Sequence, residues 1–131
     1  MQTPLPCHRA IRFSELSPQR QILVRLCQRT HFGFIRDLGI IERQPVFNPS
    51  PVVLVDLKLD SQDAPRPEIV LPEFQLPAEV VRLMDLLDSM VTTTVESLEV
   101  RAGIPRRIVF RVSADRPANV DVATEGPEAR R

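Results

Sequence analysis

Residues 22–47 of this chain can be laid on residues 82–107, an offset of sixty, without a gap. Leu23, Val24, Leu26 and Cys27 fall on Leu83, Met84, Leu86 and Leu87, while Ile35, Leu38 and Ile40 fall on Val95, Leu98 and Val100. Four aligned positions are identical, Pro45 with Pro105 among them. Helix phase, loop length and strand phase agree at once, so the chain reads as one helix–hairpin unit written twice. A unit of about 30 residues is too small to keep its apolar stripe dry alone. Two units closing on a shared layer solve that problem. The predicted fold class is therefore α+β: a tandem helix–β-hairpin repeat, forming one antiparallel sheet with two helices packed on one face.

The organisation follows from local signals. Residues 1–16 read as an irregular lead-in, with "RAIRF" suited to a short edge strand. The first copy, 17–60, opens with Ser17 as a helix cap and Pro18 at the first helical position, where no N–H is lost. Ile22, Leu23, Leu26, Cys27 and Thr30 form one stripe, Gln21, Arg25, Gln28 and Arg29 the opposite face, and Val24 the boundary. Gly33 suits the helix stop. Strand sequence follows at 34–41, a turn near 42–44, and a break at "NPSP" (48–51), whose prolines have no N–H to donate. "VVLVDLKLD" (52–60) alternates as a strand with one buried and one wet face.

Residues 61–77, acidic and rich in proline, form a connector expected to lie over the surface. The second copy, 78–112, begins with a helix whose stripe is Val80, Leu83, Met84, Leu87 and Val91. In its hairpin the alternation sets Leu98 opposite Ile108 and Glu99 opposite Arg107, with Ala102, Gly103 and Ile104 as the loop. Ile108, Phe110 and Val112 face the core in that register. Gly103 tolerates the positive φ a tight turn needs, while Arg43 holds the equivalent place in the first copy. Residues 113–131 read as a flexible tail.

"LCQRTHFGFIRDLGIIERQPVF" resembles the short YezD-like proteins, a bacterial family of unknown function, over about 40 residues of the first copy. The shared features are a helix, an aromatic-Gly step (here Phe32-Gly33), a hydrophobic strand, a turn and a second strand. The second copy has Thr92-Thr93 at the step, and the first turn lacks the family's glycine. The resemblance implies an architecture and a bacterial origin. It carries over no functional residues and no reaction.

Charge is balanced overall and uneven along the chain. Residues 1–36 hold six Arg against Glu15, 56–99 hold ten acids against three bases, and 101–116 hold five Arg against Asp115. A net charge of zero argues against a protein dedicated to coating nucleic acid. There is no Trp or Tyr to stack on bases. No run of eighteen apolar residues exists, and the N-terminus has no signal-peptide core, so no membrane is expected and the cytoplasm is the expected compartment.

Chemistry-bearing constellations are few. Cys7, His8, Cys27 and His31 make the one metal-like set, with Cys27 and His31 four apart on a helix. Their second-copy equivalents, Leu87 and Val91, read as core positions, and adjacent ligands such as Cys7-His8 fit one tetrahedral ion poorly. The two thiols are expected reduced and buried. No phosphate-binding loop, nucleophile elbow or zinc-protease motif is present. The expectation is a protein without catalytic residues or cofactor.

Arg101, Arg107 and Arg111 share the wet face of the second hairpin, with Arg106 and Arg116 nearby, as a candidate contact for a partner or nucleic acid. The preferred function is protein–protein interaction, as a homo-oligomer or adaptor. The alternative is a nucleic-acid-binding regulator using that Arg face or Arg20, Arg25 and Arg29 of the first helix.

Overall fold

The computed structural model describes residues 9–60 and 66–112. Two α-helices, α1 (Pro18–Thr30) and α2 (Ala78–Ser89), accompany five strands among these residues. The strands are β1 (Gly33–Ile41), β2 (Gln44–Val46), β3 (Val52–Val55), β4 (Thr92–Arg101) and β5 (Ile104–Phe110). All pairings are antiparallel. β1 and β4 lie at the centre, running in register from Gly33 with Val100 to Ile41 with Thr92. β5 pairs with the outer side of β4. The outer side of β1 carries β2 on one half and β3 on the other. The fold is α+β. No helix among the described residues is long and apolar enough to cross a membrane.

One face of the sheet supplies the core. Ile35, Leu38, Ile40, Val95, Leu98 and Val100 are buried there, under Leu23, Val24 and Cys27 of α1 and Val80, Leu83, Met84 and Leu87 of α2. Both helices therefore serve one core on one face. Asp37, at φ 59, interrupts the alternation between Ile35 and Leu38, so the apolar residues on either side of it still face inward. The two-residue turns at Glu42–Arg43 and Ala102–Gly103 have both central φ values positive, the geometry that matches strand twist in a tight hairpin.

Several local expectations need correction. The stop of α1 is His31, at φ 66, which donates its N–H to Cys27 O, and Gly33 instead opens β1. Ile22 is half exposed, while Val24 and Gln28 are buried, because α1 is covered on two sides and not one. Leu98 does face Ile108 and Glu99 faces Arg107, but Ile104 pairs with Arg101, and a bulge at Glu99–Val100 absorbs the difference. Val91 and Val112 are exposed beyond the ends of their elements. The expectation for 113–131 lies outside the described residues.

The second cover on α1 is the lead-in, read from sequence as irregular, and the connector, expected to lie over the surface. Phe13 and Leu16 are buried, as are Phe74 and Leu76. The two segments join as a short ribbon: Phe13 N–H donates to Phe74 O at 3.0 Å and Leu76 N–H to Ile11 O at 2.8 Å. Phe13 and Phe74 stack at 4.9 Å, and the Arg25 guanidinium lies 4.3 Å above the Phe13 ring. That guanidinium also donates to the Glu68, Ile69 and Leu71 carbonyls, so Arg25 clips the connector to α1. Glu73 secures the ribbon. Its carboxylate accepts from Ser14 Oγ (2.6 Å), Ser14 N–H (2.8 Å) and Arg12 Nε (3.1 Å).

Two predictions follow from this packing. A Cβ on Gly33 would sit 1.9 Å from the Leu54 carbonyl oxygen, so β3 docks on β1 only where no side chain intervenes. Gly33→Ala is expected to lower stability by roughly 1–3 kcal/mol, the usual penalty of overpacking, and to free β3. Urea unfolding of the variant with an unchanged midpoint would contradict this. The second concerns acid. The Ser14 and Arg12 contacts hold Glu73 down from 4.5 to about 2. A carboxyl depressed in the folded state stabilises it fully above pH 4.5 and loses that contribution as pH falls toward 2. Glu73→Gln is thus expected to melt below wild type at pH 7, with the gap closing between pH 4.5 and pH 2; a gap independent of pH would rule out this role.

Candidate functional site

The sheet has two outer edges, and they differ in chemistry. At the β3 edge, Gly33 to Arg36 of β1 pair with Val55 to Val52. Val53 and Val55, opposite Ile35 and Gly33, point to the core side; Val52 and Leu54 point to the other side. All four are nonetheless exposed, Leu54 at 41% and Val55 at 61%. Leu57 and Leu59 beyond them are exposed at 73% and 94%. The expected strand over 52–60 with one buried face is therefore a four-residue strand with no buried face, at a corner that α1 approaches without burying it. It is the longest exposed apolar run among the described residues, and an open apolar strand is the kind of feature that marks a contact surface.

The backbone of this edge also has an outer side with no strand partner among the described residues. Asp56 N–H donates to Phe32 O at 2.7 Å in the same register as β3. By the alternation of an antiparallel ladder, residues 52, 54 and 56 turn their polar groups toward β1. Val53, Val55 and Leu57 turn theirs outward. No strand among the described residues pairs with that side.

The opposite edge is charged. β5 carries Pro105, which has no N–H, followed by exposed Arg106 and Arg107. Arg106 reaches past the sheet to Glu79 in the first turn of α2, with Nη1–Oε2 2.7 Å. Between α2 and β5 runs an open groove of about 680 Å³, with Leu86, Ile108 and Phe110 on its floor and Glu79, Arg82 and Arg106 on its rim.

The candidate arginines of the second hairpin are thus not one cluster. Arg106 turns toward α2, and Arg111 pairs with Glu96 across the hairpin. Arg107 stands beside Glu99 in the sheet register without an ion pair among the described residues, and Arg101 is exposed at the turn. Arg116 lies outside the described residues.

The arginines of the first helix are largely committed elsewhere. Arg20 is buried, and its Nη2 donates to Arg43 O (2.9 Å) and to Asp88 Oδ1 (2.8 Å), tying α1 to the first turn and to α2. Arg25 holds the connector. Arg29 is exposed.

Of the metal-like set, Cys7 and His8 lie outside the described residues. Cys27 is fully buried, and desolvation pushes its thiol up to about 12, far from the thiolate a metal needs. His31 packs edge-on against Phe32 at 4.6 Å. Among the described residues no three His, Cys, Asp or Glu side chains come together as a metal site.

The β3 edge was missed because "VVLV" is continuous, and its alternation with "DLKLD" imitates a half-buried strand. The signal that could have found it is the run's setting: prolines 49 and 51 before it, Asp56, Lys58 and Asp60 after it, which are devices that bracket exposed edges. Comparison of the chain with known protein families, with curated proteins and with solved structures found no match in any of the three.

Proposed function

We propose that this chain is a non-catalytic cytoplasmic protein that works by protein–protein contact and assembles with itself through the β3 edge. The observation that carries the reading is the open strand Val52–Val55, continued by Leu57, where exposed apolar side chains meet an outer backbone side that no strand among the described residues pairs. Strand addition satisfies both at once: the backbone gains its ladder and the side chains leave water. Part of the acidic and basic blocks of the sequence is engaged within the chain, on pairs such as Arg9–Asp85, Arg106–Glu79 and Arg20–Asp88.

An internal duplication is proposed as part of this reading. The turns 42–43 and 102–103 lie sixty residues apart, and Pro45 and Pro105 after them are both buried. Gly33 pairs with Val100 and Ile40 with Thr93, the reciprocal register that two copies related by a twofold would adopt. If the two hairpins derive from one unit, their outer strands differ in use: β5 is charged at its edge and β3 is apolar. The resemblance to the YezD-like proteins suggests architecture alone and leaves this reading unchanged.

Wild-type protein is expected to run as a dimer or larger species by light scattering at micromolar concentration. Val55→Lys with Leu57→Lys, both at exposed positions, is expected to weaken association roughly tenfold or more, a change of about 1.4 kcal/mol per decade, while leaving the melting temperature of the monomer intact. A wild-type chain that is monomeric at every accessible concentration overturns the proposal.

Exposed Arg101 and Arg107, which have no ion pair among the described residues, favour nucleic-acid binding as a second reading. That reading expects gel-shift affinity that falls steeply with salt and is lost in Arg107→Glu with Arg111→Glu. Unchanged mobility of DNA and RNA at low salt removes it.

A further inference from the structure

We infer that two copies join edge to edge about a twofold axis through Val55, so that Val55 faces Val55 and Val53 faces Leu57 in one sheet continuous across both subunits. This rests on the self-association reading above and names the geometry it takes.

Parity comes first. The outward N–H and C=O groups belong to residues 53, 55 and 57, so a second β3 running antiparallel can bond only odd residues to odd residues. Opposed side chains then lie on the same face, and the core side of one copy continues into the core side of the other. Val53, Val55 and Leu57 of both copies line up there as one apolar stripe.

The ends of the run come next. Pro51 has no N–H, so the ladder loses a donor wherever that residue must take part. At the far end the chain enters a turn at Leu59–Asp60. An axis at Val53 or Leu54 brings Pro51 opposite Val55 or Leu57. An axis at Leu57 pairs Val55 with Leu59, inside the turn. An axis at Asp56 sets that carboxylate directly opposite its own copy, and like charges so placed are destabilising. The Val55 axis alone keeps every donor, stays within the extended run and opposes Asp56 to Leu54.

The interface closes on itself. A twofold consumes the β3 edge of both copies, and the edges left outside are the short β2 strands, three residues with Pro45 at the centre, and the two β5 strands, defended by Pro105, Arg106 and Arg107. The product is a dimer and not a growing fibre.

Single cysteines placed at 53, 55 or 57 of the full chain, in a Cys7→Ser background and under mild oxidation, locate the axis. Opposed residues in a hydrogen-bonded antiparallel pair are about 5.5 Å apart at Cα, within the span of a disulfide. Val55→Cys is expected to lock into a dimer on a non-reducing gel. Val53→Cys and Leu57→Cys are each expected to stay monomeric, and their combination to lock.

Hydrogen exchange on the unmodified protein supplies a second readout. The Val53, Val55 and Leu57 amides are expected to exchange slowly when concentrated and to lose that protection on dilution, while the Leu54 and Asp56 amides stay protected throughout. Locking at Leu57 or Val53 alone, without locking at Val55, overturns the register and leaves self-association standing. A wild-type monomer with fast exchange at 53, 55 and 57 at all concentrations removes both.

Discussion

The pairing of β1 with β4 is the interaction on which the rest of the molecule depends. It joins the two helix-bearing segments along their full central strands, and it creates the apolar face that the helices exist to cover. Ile35, Leu38 and Ile40 from one strand lie against Val95, Leu98 and Val100 from the other, all essentially removed from water. Neither segment could supply that layer alone. The hydrophobic gain is non-directional, but the hydrogen-bond ladder sets a direction, and the Asp37 irregularity keeps the apolar residues inward on both sides of it. Helix placement, hairpin register and the exposed corner at β3 are consequences of how that central pair is dressed.

The covering layer is less regular than the sheet. α1 packs on the sheet with one side and is enclosed on another by the ribbon of lead-in and connector, which brings in the Phe13–Phe74 stack. Arginine is the connecting material: Arg25 caps the stack and holds three connector carbonyls, and Arg20 reaches from α1 to α2 and to the first turn. Planar guanidinium groups suit this work because they donate several hydrogen bonds in fixed directions while their faces lie on rings. Arg20 and Arg25 are therefore engaged inside the fold, while Arg29, Arg101 and Arg107 are exposed.

What was legible in the sequence was periodic. The alternation around Leu98 and Ile108 located the hairpin register, and the 3.6-residue stripe of α2 named its buried Val80, Leu83, Met84 and Leu87 but also Val91, which is exposed past the helix end. Ser17 and Pro18 marked the start of α1, and the prolines at 48–51 marked the break between β2 and β3. What failed was anything decided by a third element. The wet face assigned to α1 included Arg25 and Gln28, which periodicity cannot place once a distant connector covers them. Phe74 and Leu76 sit in a proline-rich stretch without period, so nothing local announced their burial. The apolar edge at β3 was misread for the opposite reason: its pattern was clear, but burial depends on how far a helix covers it, and α1 leaves all four residues exposed.

The central pair has one more consequence, in the order of assembly. Residues paired across β1 and β4 are more than fifty positions apart, whereas each helix and hairpin is made from neighbours. Closing that span must precede the reward for it, so local units form early and the middle of the sheet is joined late. During that interval β1 and β4 each present an uncommitted apolar strand, far richer than the corner that stays open at the end. The growing chain is most adhesive before it is finished, and the finished fold keeps a short piece of that stickiness in the strand lying between a proline and a turn.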